Sequence, residues 1–140
     1  GAGKKDTLSG SQIVEPLAID LDRGFVKVRS WPWAERFRLE GIEDASGGHG
    51  NDLIIGNEAE NFLEGGYDGR DEIHGRGGDD WLMGRRGPDR LFGDEGADRV
   101  DGRAGNDFLD GGDGIDDLIG GDGTDTCVNG ERYVSCELPL

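Results

Sequence analysis

From Gly47 to Val128 the chain repeats itself every nine residues, and few folds can accommodate that period. The units are 47–55 (GGHGNDLII), 56–64 (GNEAENFLE), 66–74 (GYDGRDEIH), 75–83 (GRGGDDWLM), 84–92 (GRRGPDRLF), 93–101 (GDEGADRVD), 102–110 (GRAGNDFLD), 111–119 (GGDGIDDLI) and 120–128 (GGDGTDTCV). Gly65 is one extra residue, expected to bulge the coil. Position one is glycine in every unit. Position four is glycine except at Ala59, and position six is aspartate except at Asn61. Position eight is Ile, Leu, Val or Cys throughout. Self-similarity at a fixed short period marks a stacked repeat architecture.

Positions one to six read as a turn, with glycine where the backbone needs positive φ or close approach. Positions seven to nine read as a very short strand. Its middle side chain points inward and its flanks outward, because strand side chains alternate. Two units then make one coil, and Ile54, Leu63, Ile73, Leu82, Leu91, Val100, Leu109, Leu118 and Cys127 fill a thin interior. Each contributes about 1.5–3 kcal/mol by burial. Ordering the backbone costs about 1–2 kcal/mol per residue. One apolar residue in nine cannot balance that, so another source of stability is required.

The position-six side chains point to that source. Units two apart stack about 4.8 Å from each other. They form one ladder of Asp52, Asp71, Asp89, Asp107 and Asp125, and another of Asn61, Asp80, Asp98 and Asp116. Like charges at that spacing repel by about 3–4 kcal/mol at an effective dielectric near 20. A hard divalent cation between rungs reverses the sign. Ca²⁺ takes carboxylate and carbonyl oxygens in flexible geometry, whereas Mg²⁺ holds its waters and transition metals seek His or Cys. The ladders enclose four and three gaps, so up to about seven Ca²⁺ would offset most of the formal charge of −16. That charge also argues against nucleic acid and anionic membrane surfaces as partners. No apolar run approaches a membrane span.

The units resemble RTX repeats, the GGxGxDxUx nonapeptides. The resemblance implies an all-β fold: a right-handed parallel β-roll, or β-solenoid. It also implies Ca²⁺ between turns, held by the position-six side chains and by turn carbonyls. Carried over, those carbonyls belong to Gly84, Arg86 and Gly87; Gly93, Glu95 and Gly96; Gly102, Ala104 and Gly105; Gly111, Asp113 and Gly114; and Gly120, Asp122 and Gly123. The family folds on meeting external Ca²⁺, which implies an extracellular module, secreted or on the cell surface. Three departures stand out. The 56–64 unit has Ala59 and Asn61, which makes the Asn61–Asp80 gap suspect. Gly65 interrupts the register. Several turn positions are arginine (Arg70, Arg76, Arg85, Arg86, Arg103), read as charge relief, with a polysaccharide contact as the alternative.

Residues 1–46 are expected to form an N-terminal capping segment, residues 47–128 the roll, and residues 129–140 a C-terminal cap. Leu17, Ile19 and Leu21, then Asp22-Arg23-Gly24, then Val26 and Val28 read as a β-hairpin. The start of a Ca²⁺ loop at Asp20-Leu21-Asp22 lacks its twelfth-position Glu, so an EF-hand is rejected. Trp31, Trp33 and Phe37 are expected to cover the first coil, with a carbohydrate-stacking platform as the alternative, and Gly3–Ser9 looks like a decayed repeat. Phe62 and Trp81 should sit side by side with Met83 nearby. Cys127 and Cys136 read as a disulfide pinning the tail in an exported protein, with two free thiols as the alternative. The chain reads as a monomeric module, the last domain of a larger protein. No HExxH or GxSxG motif and no nucleophilic Cys with a plausible base is present, so an enzyme is not expected. The expected function is Ca²⁺ binding and Ca²⁺-dependent structure. The alternatives are a targeting or substrate-holding segment of a secreted enzyme, or an adhesive module.

Overall fold

A computed structural model of the chain describes residues 6–29, 37, 38 and 40–137. Trp31 and Trp33, and the side chain of Phe37, lie outside the described residues. The strands are β1 (Thr7–Ser9), β2 (Leu17–Asp20), β3 (Phe25–Val28), β4 (Phe37–Arg38), β5 (Asp44–Ser46), β6 (Leu53–Ile55), β7 (Phe62–Glu64), β8 (Glu72–Gly77), β9 (Trp81–Arg86), β10 (Arg90–Gly96), β11 (Arg99–Ala104), β12 (Phe108–Gly114), β13 (Asp117–Asp122), β14 (Thr126–Val128) and β15 (Arg132–Val134). They form two sheets, β1-β5-β7-β9-β11-β13-β15 and β14-β12-β10-β8-β6-β2-β3-β4. Among the described residues all strand pairings are parallel except β2–β3 and β3–β4. The chain is an all-β parallel solenoid that crosses from one sheet to the other with each unit.

The interior follows from the period. Every position-eight side chain from Ile54 to Cys127 is fully buried. Ile54, Ile73, Leu91, Leu109 and Cys127 stack up one sheet, and Leu63, Leu82, Val100 and Leu118 up the other. The flanking positions seven and nine point outward. Phe62 and Trp81 are in register, with ring centroids 5.1 Å apart, and Met83 is buried.

The sheets extend N-terminally beyond Gly47. β1 pairs with β5, and β5 with β7, setting Leu8, Ala45 and Leu63 in one column. β2 pairs with β6, which places Ile19 beneath Ile54. The predicted hairpin is present, but β2 is itself a rung of the roll, and β3 and β4 lie beyond it. These two antiparallel strands occupy the N-terminal edge of that sheet, a position otherwise open to intermolecular pairing. In the hairpin turn the Asp20 carboxylate accepts hydrogen bonds from the Arg23 backbone N–H and guanidinium.

Two local expectations are corrected. From β8 onward most strands run six or seven residues, through positions one to three of the next unit and, in β10 and β12, through position four. The reason is that those positions pair with their equivalents one coil away, as Arg85 does with Arg103. The extra residue is also placed differently. The Gly65 N–H donates to the Met83 carbonyl, as the Gly47 N–H does to Glu64. Gly65 therefore takes position one, and the surplus residue is absorbed in the turn after it.

Candidate metal centre

Each position-six carboxylate has two oxygens with different tasks. Oδ1 accepts the backbone N–H of the position-six residue one coil earlier. Asp52 N–H donates to Asp71, Asp71 to Asp89, Asp89 to Asp107 and Asp107 to Asp125, all at 2.8–2.9 Å. The other ladder repeats this from Asn61 to Asp80, Asp80 to Asp98 and Asp98 to Asp116, at 2.7–2.8 Å. The ladders are thus stapled coil to coil by charge-assisted hydrogen bonds, the stronger kind.

Oδ2 is turned to the other side. In Asp71, Asp89, Asp98, Asp107, Asp116 and Asp125 this atom is buried and meets no hydrogen-bond donor among the described residues. A buried polar atom without a partner costs about 1–3 kcal/mol, more if charged, so six in register need an explanation. Their surroundings supply one. A methyl group at Gly84 would lie 2.5 Å from Asp89 Oδ2 and 2.8 Å from the Gly102 carbonyl oxygen. At Gly93 the corresponding atoms are Asp98 Oδ2 and the Gly111 carbonyl, both at 2.4 Å; at Gly102 they are Asp107 Oδ2 and the Gly120 carbonyl, at 2.5 and 2.7 Å. The orphaned carboxylate oxygen and the position-one carbonyl of the next coil converge on one spot that only glycine leaves open. An all-oxygen donor set containing a carboxylate fits Ca²⁺.

The electrostatics agree. Burial pushes the carboxyl of Asp71 up to about 8, that of Asp89 to about 7, and those of Asp98 and Asp107 to about 6. The stapling N–H of the preceding coil opposes the rise, and the neighbouring rung carboxylates add to it. Burial also raises Asp52 and Asp116. Without a cation, the ladder resists its own ionisation.

The first coil differs. Asp52 Oδ2 accepts the Gly48 N–H at 2.8 Å, and Asn61 Oδ1 accepts the Asn57 N–H at 2.9 Å. The Asn61 amide also donates to the Glu43 carbonyl. The cause is the backbone at position two. Gly48 and Asn57 have φ outside the left-handed region, and their N–H caps their own turn. From the next unit onward position two is left-handed: Gly66, Arg76, Arg85, Asp94, Arg103, Gly112 and Gly121 have φ between 74° and 126°. Four of these seven are not glycine. Left-handed backbone costs an L-residue about 1–2 kcal/mol, and such strain clusters at functional sites.

Other turn atoms named by the sequence serve coil-to-coil packing. The Ala104 and Asp122 carbonyls accept the Gly87 and Gly105 N–H groups, both at 2.9 Å. Position-four glycines stack so closely that a methyl at Gly87 would fall 1.6 Å from the Gly69 carbonyl oxygen. Arg86, Glu95 and Asp113 at position three, and Gly96, Gly114 and Gly123 at position four, occupy the equivalent places. The turn arginines pair with carboxylates: Arg85 with Glu64, Arg103 with Asp101 at 3.0 Å, and Arg76 with Asp22 at 3.9 Å. Sequence reasoning missed Glu131 and Glu137, whose Oε2 atoms accept the Asp116 and Asp125 N–H groups. Their spacing from the repeats is not a multiple of nine, so the period is blind to them. The one local signal is an acid two residues before Tyr133, the six-to-eight spacing of a unit. Cys127 and Cys136 form a disulfide, with Cys127 at the end of the buried column.

Comparison with curated proteins finds no match. The family profile of the RTX calcium-binding nonapeptide repeat matches in four copies, at residues 39–66, 66–91, 74–109 and 92–127. Together they span most of the roll, and the chain belongs to the RTX calcium-binding nonapeptide repeat family.

Proposed function

We propose that this chain is a Ca²⁺-dependent folding module of a secreted or cell-surface protein, with ions held between successive coils by the position-six aspartates. The observation that carries the reading is the row of buried Oδ2 atoms with no donor, each facing a carbonyl of the next coil. Bound Ca²⁺ would supply the positive charge that these oxygens lack. The chain does the rest. Oδ1 fixes the spacing of the coils, Oδ2 and the position-one carbonyls offer the ligands, and glycine at position one keeps the site open.

Of the seven gaps read from the sequence, we assign the ions to five: Asp71–Asp89, Asp89–Asp107, Asp107–Asp125, Asp80–Asp98 and Asp98–Asp116. In the Asp52–Asp71 and Asn61–Asp80 gaps a backbone N–H already occupies the equivalent oxygen. The extracellular setting is supported by the Cys127–Cys136 disulfide, since such bonds persist in oxidising compartments. Extracellular Ca²⁺ modules bind at about 10⁻⁴–10⁻³ M, so the chain would fold on export. The test is far-UV circular dichroism during titration with Ca²⁺, with Mg²⁺ as the control. A β signal that rises at submillimolar to millimolar Ca²⁺ and not with Mg²⁺ is expected. A signal unchanged between chelator and Ca²⁺ would contradict the proposal.

A further inference from the structure

We propose that the C-terminal tail closes the roll as two truncated coils, in which Glu131 and Glu137 complete two further Ca²⁺ sites, one with Asp116 and one with Asp125. The inference rests on the reading of the repeats as Ca²⁺ sites and extends it beyond them.

β15 continues the sheet, with Arg132, Tyr133 and Val134 in register with Asp117, Leu118 and Ile119. Tyr133 therefore stands at position eight and Glu131 at position six. Only residues 129–131 separate the strand ending at Val128 from Arg132, where a full unit has positions one to six. The turn is cut short, and the acid that follows it has one methylene more than aspartate. That extra reach brings Glu131 Oε2 to the Asp116 N–H at 2.6 Å, the bond that an Oδ1 makes everywhere else in the ladder. Glu137 is joined to Thr126 by a parallel bridge, so it stands at position seven, and its side chain reaches back to accept the Asp125 N–H.

The metal-facing side is reproduced as well. A methyl at Gly111 would meet the Asn129 carbonyl oxygen at 2.2 Å and Asp116 Oδ2 at 2.6 Å; at Gly120 it would meet the Ser135 carbonyl at 2.0 Å and Asp125 Oδ2 at 2.6 Å. Asn129 and Ser135 thus take the place of the position-one glycines of a next coil, and both have left-handed φ of 52°. Asp116 and Asp125 are fully buried, and their Oδ2 atoms have no hydrogen-bond partner. Carboxylate, carbonyl and the staple recur together at both ends of the tail. An end built only to cover apolar surface would need none of the three.

The experiment counts Ca²⁺ bound per chain by equilibrium dialysis, in the whole chain and in the Glu131→Gln/Glu137→Gln variant. Glutamine keeps an acceptor for the Asp116 and Asp125 N–H groups and removes the charge. The expected result is two fewer ions in the variant, with the affinity of the remaining ions changed by less than about twofold. Should the double variant fail to fold in Ca²⁺, E131Q and E137Q singly carry the same test, each losing one ion. Equal stoichiometry and affinity in parent and variants would overturn the tail sites while leaving the repeat sites standing. A parent chain that binds no Ca²⁺ would overturn both.

Discussion

At the N-terminal end of the repeats, Asp52 and Asn61 direct an oxygen at a backbone N–H of their own turn. One coil further on, Asp71 Oδ2 faces the Gly84 carbonyl just as Asp52 Oδ2 faces that of Gly65, but it meets no hydrogen-bond donor among the described residues, and Asp89, Asp98, Asp107, Asp116 and Asp125 follow it. The side chain is the same or nearly so; the difference is the φ angle at position two. Where φ at position two lies outside the left-handed region, the turn satisfies itself. Where it is left-handed, the N–H turns away and an anionic cradle is left. On the proposed reading, a nonapeptide is either a self-sufficient unit or a metal-requiring one, and the units of Asp52 and Asn61 are of the first kind while those that follow are of the second.

Removing Ca²⁺ is the strongest way to break that comparison. In chelator, amides of β8 to β14 are expected to lose hydrogen-exchange protection by several orders of magnitude, while β2, β3 and β6 lose less. Uniform loss, or none, would show that the two ends do not differ in their need for metal. Next comes Asp89→Asn against Asp52→Asn. The first removes a charge from the middle of a ladder and should raise the Ca²⁺ midpoint of folding about tenfold, equivalent to about 1.4 kcal/mol. The second leaves the Leu17 or the Gly48 N–H facing an amide NH2, so it should cost stability in chelator and in Ca²⁺ alike and leave the number of bound ions unchanged. Loss of an ion from Asp52→Asn would sink the distinction.

Acidity sharpens it further. The carboxyls of Asp71, Asp89, Asp98 and Asp107 lie above their unfolded value in the metal-free roll. A raised carboxyl favours the folded state below the unfolded value, and that stability is lost as pH rises through the folded one. The metal-free chain should therefore gain stability as pH falls from about 8 towards 4, and the Ca²⁺ midpoint should rise over the same range as protons compete. Denaturant titrations in chelator at several pH values measure the first effect, and Ca²⁺ titrations measure the second. The smallest expected effect is at position two: Arg76→Gly should stabilise the Ca²⁺-bound roll by about 1 kcal/mol by relieving a left-handed arginine. A loss of stability of that size would mean that its contact with Asp22 outweighs the strain.

The period made the repeated parts legible. One apolar residue at position eight and one acid at position six gave the buried columns from Ile54 to Cys127 and the two ladders, because stacked coils repeat whatever the unit repeats. The parts that break the period were not legible. β1, β2 and β5 are rungs without the glycine pattern, separated by a hairpin. The left-handed arginines at position two were hidden because nothing in their side chains announces their φ. The capping N–H groups of Gly48 and Asn57 depend on that same angle. Glu131 and Glu137 stand off register because their turns are truncated. The missing charge at Asn61 was visible in the sequence, but the engaged oxygen of Asp52 was not, since that residue keeps the consensus carboxylate and its Oδ2 accepts the Gly48 N–H.

The most direct test of the account is a crystal structure grown in Ca²⁺, with anomalous difference density used to locate the ions. Peaks are predicted at each gap from Asp71–Asp89 and Asp80–Asp98 towards the C-terminus, with none at the Asp52–Asp71 and Asn61–Asp80 gaps. Peaks at those two first gaps, or none beside the Oδ2 atoms of Asp89, Asp98 and Asp107, would contradict it.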